Sequence, residues 1–133
     1  MDTFKIKIVT PERIFFEGEA TMVEFNTTEG RIGVYKRHVP TTVVIETGIL
    51  TITLPDGQKN AALHSGFVEI LPDQVTFLAE TVEWPDEIDK NRAESALDRA
   101  KKRINGELDT DKTDIARAKT ALARAVTRIG VLK

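Results

Sequence analysis

The chain of 133 residues contains no cysteine. That absence excludes a disulfide framework, a thiolate metal site and a cysteine nucleophile together. No run approaches the ~20 apolar residues that a membrane-spanning helix needs, so association with a membrane is expected only through a partner. Met1 to Val9 lacks the basic-then-apolar layout of a signal peptide, and a cytosolic location fits. No aromatic residue lies beyond Trp84, and the basic residues there are interleaved with acids. Base stacking is therefore unavailable in that half, and nucleic acid is a poor partner. Gly30, Gly33, Gly48 and Gly66 are separated by strand-like segments and do not open a helix, so no phosphate-cradling loop of the Walker type is present. No nucleophile arrangement accompanies His38 or His64, which are expected to be structural; Glu17 and Glu19 are expected to face solvent. No catalytic residue and no metal site are predicted.

What is present is an ordinary globular composition, 41% hydrophobic and 30% charged. The length suits one domain, or one small domain with an appendage. The net charge of -2 conceals a split between the two halves. Residues 1–85 carry 7 Lys/Arg against 12 Asp/Glu, while residues 86–133 carry 12 against 9. A basic second half attached to an acidic first half points to an acidic protein surface as its partner.

Up to Thr81 the sequence reads as short strands divided by turn signals. Phe4-Lys5-Ile6-Lys7-Ile8 alternates with period two, and Ile14-Phe15-Phe16 runs into Glu17-Gly18-Glu19. Met22 to Phe25, Ile32 to Tyr35 and Thr42 to Ile45 follow, rich in the β-branched residues that pleated surfaces favour. Ile49 to Leu54 and Ala61 to His64 flank Pro55-Asp56-Gly57-Gln58, and Phe67 to Leu71 and Gln74 to Ala79 flank Pro72-Asp73. Both pairs read as hairpins. About ten such strands predict an antiparallel β-sandwich over residues 1–84.

The period changes at Trp84-Pro85-Asp86-Glu87, where Pro85 and Asp86 are placed to begin a helix. Ile88, Ala93, Ala96, Leu97, Ala100 and Ile104 follow helical spacing until Asn105-Gly106. After the polar connection Glu107-Leu108-Asp109-Thr110, a second helix is expected from about Asp111, with Asp114 favouring its start and a stripe of Ile115, Ala118, Ala121, Leu122, Ala125 and Ile129. The class is thus α+β, with an antiparallel two-helix hairpin over residues 85–133. Its alanine stripes allow close approach but remove little apolar area from water. The expectation is a cohesive, weakly docked, movable arm.

Two segments of the β half resemble the epsilon subunit of bacterial F-type ATP synthases. These are Glu29-Gly30-Arg31-Ile32-Gly33-Val34 with His38-Val39-Pro40 and Gly48-Ile49-Leu50, and Ser65-Gly66-Phe67-Val68-Glu69-Ile70 with Val75-Thr76-Phe77-Leu78-Ala79. Where the family has Pro-Gly before its histidine, this chain has Lys36-Arg37. The resemblance implies a non-catalytic stalk subunit, peripheral at the cytoplasmic face of a bacterial membrane. Its sandwich would bind the gamma subunit and the ring of membrane subunits of a proton- or sodium-translocating complex. It further implies that the hairpin extends into the head of catalytic and non-catalytic subunits and hinders ATP hydrolysis through its basic residues.

Ile88-Asp89-Lys90-Asn91-Arg92-Ala93 also matches the Ile/Leu-Asp-x-x-Arg-Ala pattern of epsilon subunits that bind ATP. The implied ATP site comprises Glu83, Ile88, Asp89, Arg92, Ala93, Arg99, Arg124 and Arg128, with no cofactor required. Asp89 can accept from an adenine amino group or orient Arg92, and forked arginines suit phosphates. The competing reading is a free-standing adaptor whose sandwich and hairpin bind unrelated proteins. A nucleotide hydrolase is disfavoured, because no Walker loop and no evident base for activating water are present.

Overall fold

The computed structural model describes residues 2–106 and 112–133. The connection expected at 107–110, the helix start expected near Asp111 and the side chain of Asp114 lie outside the described residues. Eight strands precede the helices: β1 Phe4–Val9, β2 Ile14–Ala20, β3 Met22–Thr27, β4 Gly30–Val34, β5 Thr41–Ile45, β6 Gly48–Leu54, β7 Gly57–Ile70 and β8 Gln74–Glu83.

The strand count is lower than expected because two expected strands are one. Ala61 to His64 and Phe67 to Ile70 are halves of the single 14-residue β7. The chain bends between them at Ser65 (φ 42°) and Gly66 (φ 135°) without leaving the sheet. Gly66 is required there, because a Cβ would collide with the Leu78 carbonyl oxygen and lie 2.9 Å from Ala79 Cα. Glu17-Gly18-Glu19, which resembles a turn, continues β2 to Ala20 in antiparallel register with β1.

The bend in β7 makes the sandwich. Its first half pairs with β6, which pairs with β3, and β3 pairs with β4. Its second half pairs with β5, and β8 runs beside both halves before meeting β1 and then β2. β7 and β8 thus pass from one layer to the other, as bent strands do at sandwich corners. Alternating residues face inward, among them Ile6, Ile8, Val23, Phe25, Leu50, Ile52, Leu63, Val68 and Phe77, all essentially inaccessible. Phe25 and Phe77 meet edge to face at 4.9 Å across the core. Each such side chain contributes about 1.5–3 kcal/mol on burial, and this apolar core is what opposes the entropy of the unfolded sandwich.

In the turn before β5, Arg37 takes the left-handed conformation (φ 69°) that a glycine adopts more easily. Its N–H donates to the Pro72 carbonyl at 2.6 Å and its guanidinium pairs with Asp2 at 2.8 Å. These contacts hold the Lys36-Arg37 departure in place.

After β8, Pro85–Glu87 forms one 3-10 turn, and Ile88 returns to extended backbone. The first helix therefore starts later than Pro85-Asp86 suggests: α1 spans Lys90–Ile104 with Asp89 as its N-cap. The second helix, α2, spans Lys112–Val131. The hairpin seam is alanine, with Ala93, Ala100, Ala118 and Ala125 buried. Ala121 is exposed, contrary to the expected stripe, because the helical repeat turns it away from a seam set by Ala118, Leu122 and Ala125. α2 lies against β6 and β7, where Gly130 leaves room for Ile49. Methyl-sized contacts contribute about 0.8 kcal/mol each, so the hairpin depends on few strong contacts.

Candidate functional site

Where the hairpin leaves the sandwich, a cleft of about 470 Å³ is lined by Glu83, Glu87, Ile88, Asp89, Arg92, Ala93, Ala96, Arg99 and Arg128. That size lies within the ~300–1,000 Å³ of small-molecule clefts. One face of α1 supplies Arg92, Ala93, Ala96 and Arg99, at the spacing that brings successive turns into line. The two alanines keep the floor low, so the arginines at either end can reach across it. Glu83 comes from the last residue of β8, Glu87 and Ile88 from the turn, and Arg128 from α2.

Seven of the eight residues singled out from sequence meet here: Glu83, Ile88, Asp89, Arg92, Ala93, Arg99 and Arg128. Arg124 does not line the cleft. It stands one turn earlier on α2, 3.7 Å from Glu80, with its Nε buried and unpartnered among the described residues. Glu87 and Ala96 line the cleft and were not singled out. Their spacing from Asp89 is visible in sequence, but the pairing of Glu87 with Arg13, 74 residues away, is not.

The carboxylates have distinct tasks. Asp89 Oδ1 accepts the backbone N–H of Arg92 at 3.1 Å. It therefore caps the helix and does not grip the Arg92 guanidinium. Glu87 accepts from Arg13 at 2.8 Å and from the Trp84 N–H at 2.9 Å, which together hold its carboxyl below the usual range. Arg13 also lies over the Phe15 ring, which stacks on Trp84 at 4.2 Å, so the turn is anchored to the sandwich. Glu83 is the most perturbed group. Its Oε1 accepts from His64 Nε2 at 3.0 Å and from Arg128 Nε at 2.8 Å. The histidine bond first, then Arg128, lower its carboxyl to about 2 against the opposing effect of burial.

Arg92 and Arg99 form no ion pair among the described residues, and Arg128 engages Glu83 through Nε, which leaves its terminal amino groups unbonded among those residues. Two of the three facing carboxylates are already neutralised by arginine. The cleft therefore offers forked cationic donors and one free acidic edge, a set that fits a compact phosphate-bearing ligand with a donor group.

Comparison with known proteins places the whole chain. The beta-sandwich domain pattern of the ATP synthase delta/epsilon chain matches residues 3–85, and the long alpha-helix domain pattern of the same chain matches residues 86–133. The ATP synthase epsilon chain of Clostridium novyi is 43% identical over 128 residues, covering 96% of this chain and 95% of the relative. That of Ruminiclostridium cellulolyticum is 41% identical over 129 residues, covering 97% and 95%. The epsilon chain of Bacillus velezensis is 41% identical with 98% of both covered. In fold, the chain is similar to one in the OSCP/F1/c-ring assembly of Euglena gracilis mitochondrial ATP synthase, with TM-score 0.85, 18% identity, and 98% and 82% of the two chains covered. A second likeness is to a chain of the Tetrahymena thermophila central stalk and c-ring, with TM-score 0.65, 11% identity, and 99% and 98% covered. Matched in both domains and along its full length, the chain belongs to the ATP synthase delta/epsilon family, as an epsilon chain.

Proposed function

We propose that this chain is a non-catalytic coupling and regulatory subunit of the central stalk of an F-type ATP synthase. The sandwich joins the gamma subunit to the membrane ring of a proton- or sodium-translocating complex, at the cytoplasmic face of the cell membrane. The hairpin is a movable arm that hinders ATP hydrolysis when it extends to the catalytic and non-catalytic head subunits, and ATP in the cleft holds it down.

The observation that carries this reading is the contrast between the two attachments. The sandwich has a continuous apolar core, whereas α2 rests on it through Gly130 against Ile49, Arg128 on Glu83 and Arg124 on Glu80. A body that stays folded while its appendage lifts follows from that difference. The cleft spans sandwich end, turn, α1 and α2, so a ligand within it contacts only the docked arrangement and stabilises that state by its differential affinity. Lys101, Lys102, Arg103, Arg117 and Lys119 are exposed on the helices and supply the basic face for an acidic loop of the head.

Two measurements test this. The chain should copurify with gamma and ring subunits, and failure to bind gamma contradicts the stalk assignment. Calorimetry of the full chain should register ATP binding that Arg92→Ala weakens by tenfold or so, about 1.4 kcal/mol; equal affinity removes the cleft from the account.

A further inference from the structure

His64 is the one fully buried titratable side chain among the described residues. It stands in β7 at the bend, and its Nε2 lies 3.0 Å from Glu83 Oε1. The same oxygen receives Arg128 Nε at 2.8 Å. A single carboxylate oxygen thus joins an imidazole of the sandwich to a guanidinium of α2. The other ring nitrogen, Nδ1, is buried with no partner among the described residues. A neutral ring leaves only a lone pair there, whereas a protonated ring would bury an unpaired N–H.

We propose that His64 is a positioning residue for the docked hairpin, and that a proton on its imidazole competes with Arg128 for Glu83 Oε1 and so loosens α2 from the sandwich. The sign follows from the charges. With Arg128 in place, an imidazolium meets a second cation at the same oxygen and has no acceptor for Nδ1–H. With α2 lifted, the carboxylate is left to the imidazolium alone. Proton binding is therefore favoured by the lifted arm, and by reciprocity protonation favours lifting.

The surrounding charges are few. β8 contributes Glu83 and Glu80, the latter held by Ser65 and Arg124; α2 contributes Arg128 and Arg124. Glu87, Asp89, Arg92 and Arg99 face the same cleft from the turn and α1. β5 and β6, which pair with β7, carry no titratable residue. Among these side-chain types, imidazole is the one whose charge changes between about pH 5 and about pH 8.

The inference rests on the movable hairpin proposed above, and the test separates the two. In the full, cysteine-free chain, Asp56→Cys and Lys133→Cys, both at exposed positions, carry a donor and acceptor dye that report the separation of sandwich and α2. Between about pH 8 and about pH 5.5, the docking equilibrium should weaken about tenfold. His64→Gln, whose amide donates to Glu83 without charge, should remove that response. A wild-type separation indifferent to pH, or an unchanged pH response in His64→Gln, overturns the role of His64. If His64→Gln fails to fold, the reciprocal measurement decides. The imidazole resonances should titrate at higher pH in Arg128→Gln than in the unaltered chain, and identical titrations refute the competition. Arg128→Glu supplies the remaining control. A separation that stays short in Arg128→Glu at every pH contradicts the movable hairpin itself, whereas one that lengthens there while the unaltered chain ignores pH contradicts only the proton competition.

Discussion

Replacing Glu83 with glutamine removes one charge at the junction of sandwich and hairpin while preserving length and an acceptor oxygen. The carboxyl sits at about 2 against an ordinary 4.5, which at 1.36 kcal/mol per unit would amount to about 3 kcal/mol. The side chains of Glu83 and Arg128 are 23% and 29% exposed, so solvent screening reduces the expected loss in Glu83→Gln to about 1–2 kcal/mol. The pH dependence has a definite sign. A carboxyl depressed by folding contributes stability above its unfolded value and loses it as pH falls through its folded value. The advantage of the unaltered chain should therefore be complete at pH 7 and fade between about pH 5 and about pH 2. Urea unfolding of both chains across this range reads the difference, and amide exchange in α2 separates its docking share from the share held by His64. A gap that is the same at pH 7 and at pH 2, or no gap at pH 7, refutes the electrostatic account of this junction.

Three further perturbations probe other links. Asp89→Ala should lose about 1 kcal/mol of helix capping, seen as faster amide exchange in the first turn of α1 with the sandwich transition unchanged. Ala100→Leu forces a larger group into a seam that is 3% exposed, and should loosen the hairpin by about 1–3 kcal/mol; circular dichroism should show helical melting at lower temperature, before the near-ultraviolet signal of Trp84 changes. Gly66→Ala places a side chain at φ 135° against the Leu78 carbonyl oxygen and should destabilise the sandwich by at least about 3 kcal/mol in denaturant titration.

Much of this organisation was legible in the sequence because it is written in local periods. Phe4, Ile6 and Ile8 alternate and are all buried, and the alanines at 93, 100, 118 and 125 mark the seam. Pro85-Asp86 marked the change of regime, although the chain makes one 3-10 turn before Asp89 starts the helix. The bend inside β7 was hidden, because Ser65-Gly66 resembles a turn between strands and only the neighbouring β8 keeps both halves in one ladder. Seven of the eight proposed site residues share a cleft, since α1 sets its arginines by helical spacing. The links of Glu83 to His64, 19 residues away, and to Arg128, 45 residues away, were not legible. Contacts between distant segments leave no periodic trace. His64 accordingly read as a plain structural histidine, and nothing in the sequence pairs Arg124 with Glu80.

The claim that the hairpin regulates hydrolysis by lifting is tested most directly by fastening it down. Glu80→Cys and Arg124→Cys replace side chains 3.7 Å apart on sandwich and α2, and a short reducible linker between them clamps the arm in an otherwise cysteine-free chain. ATP hydrolysis is then measured in the assembled synthase before and after the linker is cleaved. Hydrolysis should be faster with the arm clamped and return to the inhibited rate on release; equal rates in the two states refute regulation by lifting.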